Sequence, residues 1–437
     1  MVWLSSIREA LRLSLWFVPA VFAVFAFVLA LVLMAVDQSL GREPESVPFM
    51  FGGTADGARS VLSTIAQSML TFTGLVFTIT MLVLQLASSQ LSPRVMRTFL
   101  RDRGNQVVLG LFTATFVFTL LVLREVRNPS AGDPGFVPAV STWTAFVLLL
   151  ASVGAFIWYI DHMAHAIRAS TVITSIWSET VGAIERLYPE RIGEDAPPPD
   201  GLPDPGAPAV ILKADRAGVL VTVDEDALLR ATAEPGRLLE LVPAVGDFVP
   251  AGAPLARLWG PWDREGGDHV RGAVGLNAER TLDQDAAFGF RQLVDIAVRA
   301  LSPGTNDPTT AVQALDRIHD LLRRLAERRF PSPVRVVDGR PRLVLRRPAW
   351  DDYLRLALDE IRLAGESQIQ VLRRLRAVLD DLAEVAPPAR QPALAAQAAA
   401  LDASVDRGMA DPADRAVART ASARGHALGA PDARSRP

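Results

Sequence analysis

The 437-residue sequence contains no cysteine and a single lysine, Lys213. The absence of cysteine excludes disulfides, thiolate nucleophiles and thiolate metal sites, and it is typical of proteins that face a reducing compartment. The lone lysine lies outside any phosphate-binding loop motif, and it leaves little scope for Schiff-base chemistry. The net charge of -3 is spread along the chain, so no basic stripe indicates binding to nucleic acid.

Charge is also missing from four long apolar stretches in the first 165 residues. They cover residues 13–36, 61–87, 107–123 and 143–160, and none of them contains Asp, Glu, Lys, Arg or His. Each has about the 17 to 25 residues that an α-helix needs to cross the hydrocarbon of a bilayer. The sequence therefore predicts a four-helix transmembrane domain over residues 1–165, with the lipid bilayer as its first partner.

Arginines are concentrated in two of the segments that flank these stretches. They precede the first stretch or lie between the second and the third: Arg8, Arg12, Arg94, Arg97, Arg101 and Arg103. Because basic residues remain on the cytoplasmic side, we expect both termini in the cytoplasm and a location in a bacterial cytoplasmic (inner) membrane. The last four of these arginines would contact anionic lipid headgroups at the membrane surface, or favour anions if they surround a pore.

The rest of the chain changes in composition several times. The fourth membrane helix is expected to continue into a helical stalk, followed by a proline-rich linker, over residues 166–208. Short β-prone runs predict a small β-module at 209–262, and amphipathic runs predict a cytoplasmic helical domain at 275–385. Residues 386–437 form an Ala/Pro/Arg-rich tail that we expect to be partly disordered. The predicted fold class is mainly α.

The β-module contains a recognisable turn. The run from Gly246 to Leu255, GDFVPAGAPL, resembles the hammerhead turn of barrel-sandwich folds, which include the lipoyl and biotinyl carriers. A carrier needs a lysine at a hairpin tip, and Lys213 lies at the beginning of the region instead. The resemblance therefore implies a barrel-sandwich-like module without a carrier function, and no cofactor is predicted.

A polar corner separates two predicted helices of the helical domain. Pro303 and Gly304 end the first helix, and Asp307 and Pro308 suit the N-cap and first turn of the second. Hydroxyl, amide and carboxylate groups gather there, on Ser302, Thr305, Asn306, Asp307, Thr309 and Thr310. Such groups can bind an anion, a hard cation or a partner, or they can satisfy the backbone of a tight corner.

The second apolar stretch carries a polar stripe at spacings of three and four. Its candidate pore-lining residues are Thr64, Ser68, Thr71, Thr78, Gln85 and Ser89. One interpretation is an uncharged wet path in a homo-oligomer, since four helices of one protomer enclose little water. The other is that the hydroxyls pack helix against helix inside one protomer, as small polar residues commonly do in membranes.

One group of residues has some resemblance to a metal site. Asp161, His162 and His165 lie at the inner end of the fourth stretch, within one helical turn of each other. On a helix these three side chains point in different directions and could reach one ion only with poor geometry. The sequence therefore predicts no metal site there. Polar residues that mark the membrane edge are the simpler interpretation.

Two runs of sequence indicate a family. RTLDQDAAFGFRQLVDIAVRALSPGTNDPTTA at 280–311, together with SSQLSPRVMRTFLRDRGNQ at 88–106, resembles the bacterial predicted membrane proteins catalogued as domain of unknown function 2254. The likeness extends from the first helix to about residue 385. It implies a membrane location and an architecture, but no chemistry.

These observations favour an oligomeric channel-like or passive transport protein with a cytoplasmic regulatory or assembly domain. Titratable residues are absent from the membrane stretches, which counts against proton relays and ion-coupled carriers. The alternative is a membrane-anchored ligand sensor or scaffold that conducts nothing and binds a small ligand or ion. An enzyme is not expected, because no nucleophile with its base and no paired carboxylates in a cleft are recognisable.

Overall fold

A computed structural model describes residues 16–39, 54–90, 103–128, 135–166, 168–190 and 206–422. Within it the chain forms two compact units, one that ends at Thr171 and one that begins at Val172. The first unit is helical, and the second combines helices with two β-sheets.

Four helices of the first unit are long and apolar enough to cross a membrane, as the sequence predicted. They are α1 (Phe17–Ser39), α2 (Ala55–Gln90), α3 (Arg103–Glu125) and α4 (Ala139–Ala166). The second, third and fourth extend beyond the apolar stretches at both ends, because polar residues such as Asp56, Arg124 and His165 continue the helices. Most of the large side chains on the outside of α1 and α4 are apolar, as lipid contact requires.

The core of the first unit is built from aromatic and aliphatic side chains at helical spacing. Phe112 and Phe118 of α3 are fully buried, and Phe72 of α2 stacks on Phe156 of α4 with ring centroids 4.7 Å apart. Polar groups also cross between helices: the hydroxyls of Thr80 and Tyr159 lie 2.8 Å apart, and those of Thr115 and Ser152 lie 3.1 Å apart. Helices in a membrane are commonly held together by contacts of this kind.

A buried carboxylate fixes the end of α1 to the beginning of α4. Asp37 accepts hydrogen bonds from the backbone N–H of Val140 at 2.9 Å and of Ser141 at 3.0 Å, and from the Ser141 hydroxyl at 2.6 Å. These N–H groups belong to the first turn of α4, where no carbonyl of the helix can accept them. Asp37 therefore caps a helix that lies about a hundred residues further along the chain.

The segment after α4 is a separate helix, α5 (Ala169–Leu187). The sequence predicted one continuous helix, whereas α4 ends at Ala166 and the backbone N–H of Arg168 bonds to the carbonyl of His165. Most of α5 belongs to the second unit, where Ile173, Ile176 and Ile184 are buried. Its Trp177 donates a hydrogen bond of 2.7 Å to Asp320. The predicted stalk is thus an integral part of the packing of the second unit.

Within the described part of the chain, eight strands form two sheets. Their bounds are β1 (Val210–Lys213), β2 (Gly218–Val223), β3 (Leu238–Leu241), β4 (Phe248–Val249), β5 (Pro254–Trp259), β6 (Val274–Asn277), β7 (Val334–Val337) and β8 (Arg340–Leu345). The larger sheet has the order β1-β5-β3-β8-β7, and the smaller one has β4-β2-β6. Strands β6, β7 and β8 lie beyond the predicted module at 209–262, and the sequence analysis missed them. The sheets of the β-module are therefore completed by strands that lie, apart from Val274, in the segment 275–385, which the sequence predicted as helical.

The remaining helices surround these sheets or follow them. They are α6 (Glu225–Ala231), α7 (Arg264–Gly272), α8 (Ala286–Ala300), α9 (Pro308–Ala326), α10 (Trp350–Ala364), α11 (Ile369–Val385), α12 (Gln391–Gly408) and α13 (Pro412–Ala418). The end of the predicted helical domain consists of two helices, α10 and α11, in which Leu354, Leu358 and Leu375 are buried. Helices α12 and α13 lie within the Ala/Pro/Arg-rich segment at 386–437, of which residues 423–437 lie outside the described residues.

Candidate functional site

The polar corner between α8 and α9 has the predicted helix punctuation. Asp307 is the N-cap of α9, with its carboxylate 3.1 Å from the backbone nitrogen of Thr310 and 2.6 Å from the Thr310 hydroxyl. Pro308 occupies the first turn. The Ser302 hydroxyl donates to the carbonyl of Arg299 at 2.7 Å and lies 3.3 Å from the Thr305 hydroxyl, while Thr309 is exposed. Most of these polar groups therefore satisfy the corner itself.

Asn306 has a conformational role in this corner. Its φ of 46° lies in the left-handed region, where asparagine is tolerated better than most residues. Its side-chain oxygen also accepts a hydrogen bond of 3.2 Å from Gln368, just before α11. The geometry accounts for Asn306 without a ligand, although its left-handed backbone was not predicted.

We expect Asn306→Ala and Asp307→Ala to destabilise the second unit by similar amounts. Alanine at 306 would meet the left-handed strain, about 1 kcal/mol, and alanine at 307 would remove an N-cap worth about the same. Asn306→Gly, the matched control, should be nearly neutral because glycine adopts a positive φ freely. Thermal unfolding of the purified protein measures all three. A loss of assembly in Asn306→Ala at unchanged melting temperature would contradict a purely structural corner.

The polar stripe of α2 faces outward from the described helices. Thr64, Thr71, Thr78 and Gln85 are exposed and Ser68 is half-buried, while Ser89 lies in the last turn, where side chains are not described. The four hydroxyls donate to carbonyls one turn earlier in α2, at 2.8 to 3.0 Å. Among the described residues of the first unit, the contacts between hydroxyls of different helices are made by Thr80, Tyr159, Thr115 and Ser152 and not by the stripe.

The outward face of α2 is more regular than the sequence analysis recognised. Leu70, Leu75, Phe77 and Leu82 are also exposed on the outward side of α2. Beside them, one row of exposed positions alternates by four and three residues: Ser60, Thr64, Gln67, Thr71, Gly74, Thr78, Met81 and Gln85. Seven of these eight are polar or glycine, and this spacing is the heptad pattern of helices that pair with a left-handed twist. A search for a heptad of small and polar residues would have found Ser60, Gln67 and Gly74.

Gln67 differs from the hydroxyl residues on this face. It lies three residues from the midpoint of the span Ala55–Gln85, which is about 4.5 Å along a helix. Its side chain is exposed, and the described part of the chain gives its amide no hydrogen-bond partner. Because a primary amide cannot bond to its own helix as readily as a hydroxyl does, contact with lipid alone would leave it unsatisfied.

The weak metal candidates do not converge. His165 Nδ1 lies 3.5 Å from a carboxylate oxygen of Asp161 and 2.8 Å from its backbone carbonyl. The ring of His162 stacks on Trp158 instead, with centroids 4.7 Å apart. No three His, Asp or Glu side chains among the described residues are grouped as a metal site would require.

The predicted basic surface lies mostly outside the described residues. Arg94, Arg97 and Arg101 belong to that part of the chain, and Arg103 is described only as the first residue of α3. Their roles at a lipid surface or a pore mouth remain predictions.

A cleft of about 140 Å³ lies in the second unit, where the ends of several elements meet. It is bordered by the end of α5, the ends of β2 and β8, and the beginnings of α6 and α8. Its apolar wall consists of Leu187, Val223, Leu241, Val245 and Leu345. The cleft could not be predicted from the sequence, because its residues come from six separate segments without a common motif.

Two buried tyrosines form one polar edge of the cleft. The hydroxyls of Tyr188 and Tyr353 lie 2.9 Å apart, and the side chains are 5% and 1% exposed. Burial raises the pKa of both phenols above the ordinary value, so both keep their protons at neutral pH. The pair has two hydroxyl hydrogens for one hydrogen bond between them, and one hydrogen remains available to a further acceptor.

Charged groups line the cleft near the tyrosines, and Arg347 is close enough to Tyr188 to offset in part the rise that burial causes in the pKa of its phenol. Asp285 caps α8 through the backbone N–H of Phe288 and pairs with Arg280 at 2.7 Å; burial raises the pKa of its carboxyl although Arg280 lowers it. The carboxylate of Glu225 accepts hydrogen bonds from the guanidinium groups of Arg335, at 3.0 Å, and of Arg347. The Nε atom of Arg347 is buried and has no hydrogen-bond partner among the described residues.

The hammerhead-like turn supports this charged edge. Gly246 has a φ of 95°, and a Cβ atom there would lie 2.6 Å from Asp285 Oδ2 and 2.7 Å from Arg280 Nη2. Only glycine combines this backbone with such a close approach. The predicted turn motif therefore positions the Asp285–Arg280 pair beside the cleft.

Comparisons with known proteins agree with the membrane architecture. A family described as "Predicted membrane protein (DUF2254)" matches residues 12–381. Uncharacterized proteins of Mycobacterium tuberculosis and Mycobacterium bovis are 35% identical over 428 residues, which cover 96% of this chain and 81% of each relative. No solved structure matches the chain. Since the family match includes the four membrane helices and most of the second unit, the chain belongs to the DUF2254 family of predicted membrane proteins.

Proposed function

We propose that this protein is a homo-oligomer in the cytoplasmic membrane, in which the outward face of α2 pairs with the same face of other copies and lines a passive path for small solutes. The observation that carries the proposal is Gln67, a mid-span amide on the outside of the protomer without a partner among the described residues. Amides in this position commonly bond to a neighbouring helix. A second copy of α2 would supply the missing partner.

The composition of the face supports the same arrangement. Gly74 has open space at its Cβ position, and serines and threonines surround it along the stripe. Small residues let two helix backbones approach closely, and the seven-residue spacing suits neighbours that cross at about 20°. The exposed large side chains of α1, such as Val24, Phe25 and Val28, are apolar and suit lipid. The polar stripe of α2 is therefore a candidate for the surface that lines a water-filled path.

The orientation is part of the proposal. Arginines at 94, 97, 101 and 103 favour a cytoplasmic segment between α2 and α3, which places both termini and the second unit in the cytoplasm. There the second unit would regulate or assemble the membrane helices. Its Gly246 turn and paired sheets support a barrel-sandwich-like description of the β-module.

The absence of native cysteine allows a direct test of the α2 contact. We expect Gly74→Cys to form disulfide-linked dimers when membranes are oxidised, whereas Leu150→Cys, on the exposed face of α4, should form few. Adding Gln67→Leu should reduce cross-linking about 3- to 30-fold, since each interhelical hydrogen bond contributes about 0.6 to 2 kcal/mol. Thr71→Leu should lower solute flux in proteoliposomes while it leaves the oligomer intact.

Met81→Leu is a control on the same face, because it exchanges one apolar residue for another. Equal and weak cross-linking at positions 74 and 150, with monomers in bilayers, would contradict the oligomer. An intact oligomer that passes neither ions nor neutral solutes would contradict conduction alone. The membrane-anchored sensor or scaffold would then be the better description.

A further inference from the structure

The cleft of the second unit has the features of a ligand-binding site. These features do not depend on whether the membrane helices form a path for solutes. Its volume of about 140 Å³ is close to that of an engineered protein cavity, roughly 150 Å³, that binds benzene. A molecule of roughly six to ten non-hydrogen atoms would fit such a space. The leucine and valine side chains of the lining suit an apolar body, and tyrosine, carboxylate and arginine groups line the same cleft.

The charges around the cleft are unequal. Arg346 and Arg347 line it together with Glu225 and Asp285, but both carboxylates are also paired with arginines outside the lining, Arg335 and Arg280. Asp247 also lies near Asp285, so these seven side chains carry one more positive than negative formal charge. Partial burial reduces the screening of this excess by water. An anion is favoured over a cation.

Two hydrogen-bond donors of residues that line the cleft have no acceptor among the described residues. One is the buried Nε–H of Arg347, which has no partner among the described residues. The other is the second hydroxyl hydrogen of the Tyr188–Tyr353 pair, for which the described residues offer no acceptor beyond the pair itself. A carboxylate accepts from a guanidinium and a phenol in the charge-assisted geometry that gives the strongest hydrogen bonds.

We propose that this cleft binds a small organic carboxylate, with its anionic group on Arg347 and the tyrosine hydroxyls and its short apolar body against the aliphatic wall. Glu225 holds the Nη2 atom of Arg347 and competes with the ligand for the same positive charge. Occupation of the cleft would link α5, the ends of β2 and β8, and α8 through one molecule. The cleft is then a site at which the second unit senses a metabolite.

The test uses the full-length protein in detergent and three probes: benzoate, its uncharged isostere benzamide, and inorganic phosphate. We expect benzoate to bind with a Kd of about 0.1 to 1 mM by calorimetry, and benzamide at least about tenfold more weakly. Phosphate should bind more weakly than benzoate, since it has no apolar body. Tighter binding of phosphate than of benzoate would overturn the carboxylate assignment.

Two shape-conserving variants give opposite expected effects. Arg347→Gln removes the positive charge and should weaken benzoate binding at least about tenfold, whereas Glu225→Gln removes the competing carboxylate and should tighten it several-fold. Arg340→Gln, in an exposed position of β8, should leave the affinity unchanged. A merely structural Glu225–Arg347 pair would lower the melting temperature in both variants without opposite shifts in affinity. No binding of benzoate to the wild type at 20-fold the expected Kd, or equal binding by all variants, would overturn the proposal.

Discussion

Gly289→Ala is expected to destabilise the second unit by about 3 kcal/mol, because no space exists for a methyl group between α5 and α8. A Cβ atom at position 289 would lie 1.9 Å from the hydroxyl oxygen of Thr180 and 2.7 Å from its methyl carbon. Thr180 is fully buried and donates to the carbonyl of Ile176 at 2.6 Å, so its side chain has no room to rotate away. The gain of about 1 kcal/mol from alanine in a helix does not offset this clash.

The chain supplies its own control for this substitution. Gly182 also lies in α5, but a Cβ atom there would meet only the flexible end of Arg186 at 3.4 Å. Gly182→Ala should therefore be neutral or stabilising by up to about 1 kcal/mol. The double variant Gly289→Ala with Thr180→Gly should recover part of the lost stability. A Gly289→Ala protein that melts at the wild-type temperature would show that the two helices are further apart than the structure has them.

The second large effect is expected at Arg390, whose guanidinium is buried beneath the end of α9. It donates to the carbonyls of Leu325 at 2.8 Å, Ala326 at 3.0 Å and Arg328 at 2.7 Å. It also lies between the rings of Phe330 and Trp350, 4.7 and 5.2 Å from their centroids. Arg390→Met would leave three carbonyls without these donors, and we expect a loss of about 3 to 5 kcal/mol.

In a domain of this size the loss corresponds to a melting temperature about 10 °C lower. Arg390→Lys should recover little of it, because an ammonium group cannot reproduce the planar fork that reaches three carbonyls. Arg340→Met, at an exposed position, should change the melting temperature by less than about 1 °C. If Arg390→Met and Arg340→Met melted alike, the buried guanidinium would not cap α9.

The sequence predicts those parts of the fold that depend on local pattern. The four membrane helices follow from uninterrupted apolar runs, and the ends of α8 and α9 follow from Pro303, Gly304, Asp307 and Pro308. Each of these signals lies within a few residues of the structure that it specifies. Helix periodicity and turn chemistry are therefore sufficient for these elements.

Long-range arrangements were not predictable from local pattern. Asp37 caps α4 across about a hundred residues, and Gly289 shows its role only when Thr180 is placed opposite it. The cleft requires Tyr188, Glu225, Asp285 and Arg347 to meet from different elements. In each case the residue type is common, and its role depends on a partner that is distant in the sequence. A single sequence therefore does not indicate that role.

Because β3 pairs in parallel with β8, the larger sheet cannot be completed until β8 has been synthesised. Leu241 of β3 and its neighbour Leu345 of β8 are separated by about a hundred residues, which a ribosome takes about 5 to 20 s to add. For that interval β3 pairs with β5 on one side only, and its other edge of unpaired N–H and carbonyl groups stays open. Until the hairpin of β7 and β8 has been synthesised, this unpaired edge of β3 can therefore pair with strands of other chains. The nascent protein needs protection from aggregation at β3 during this interval.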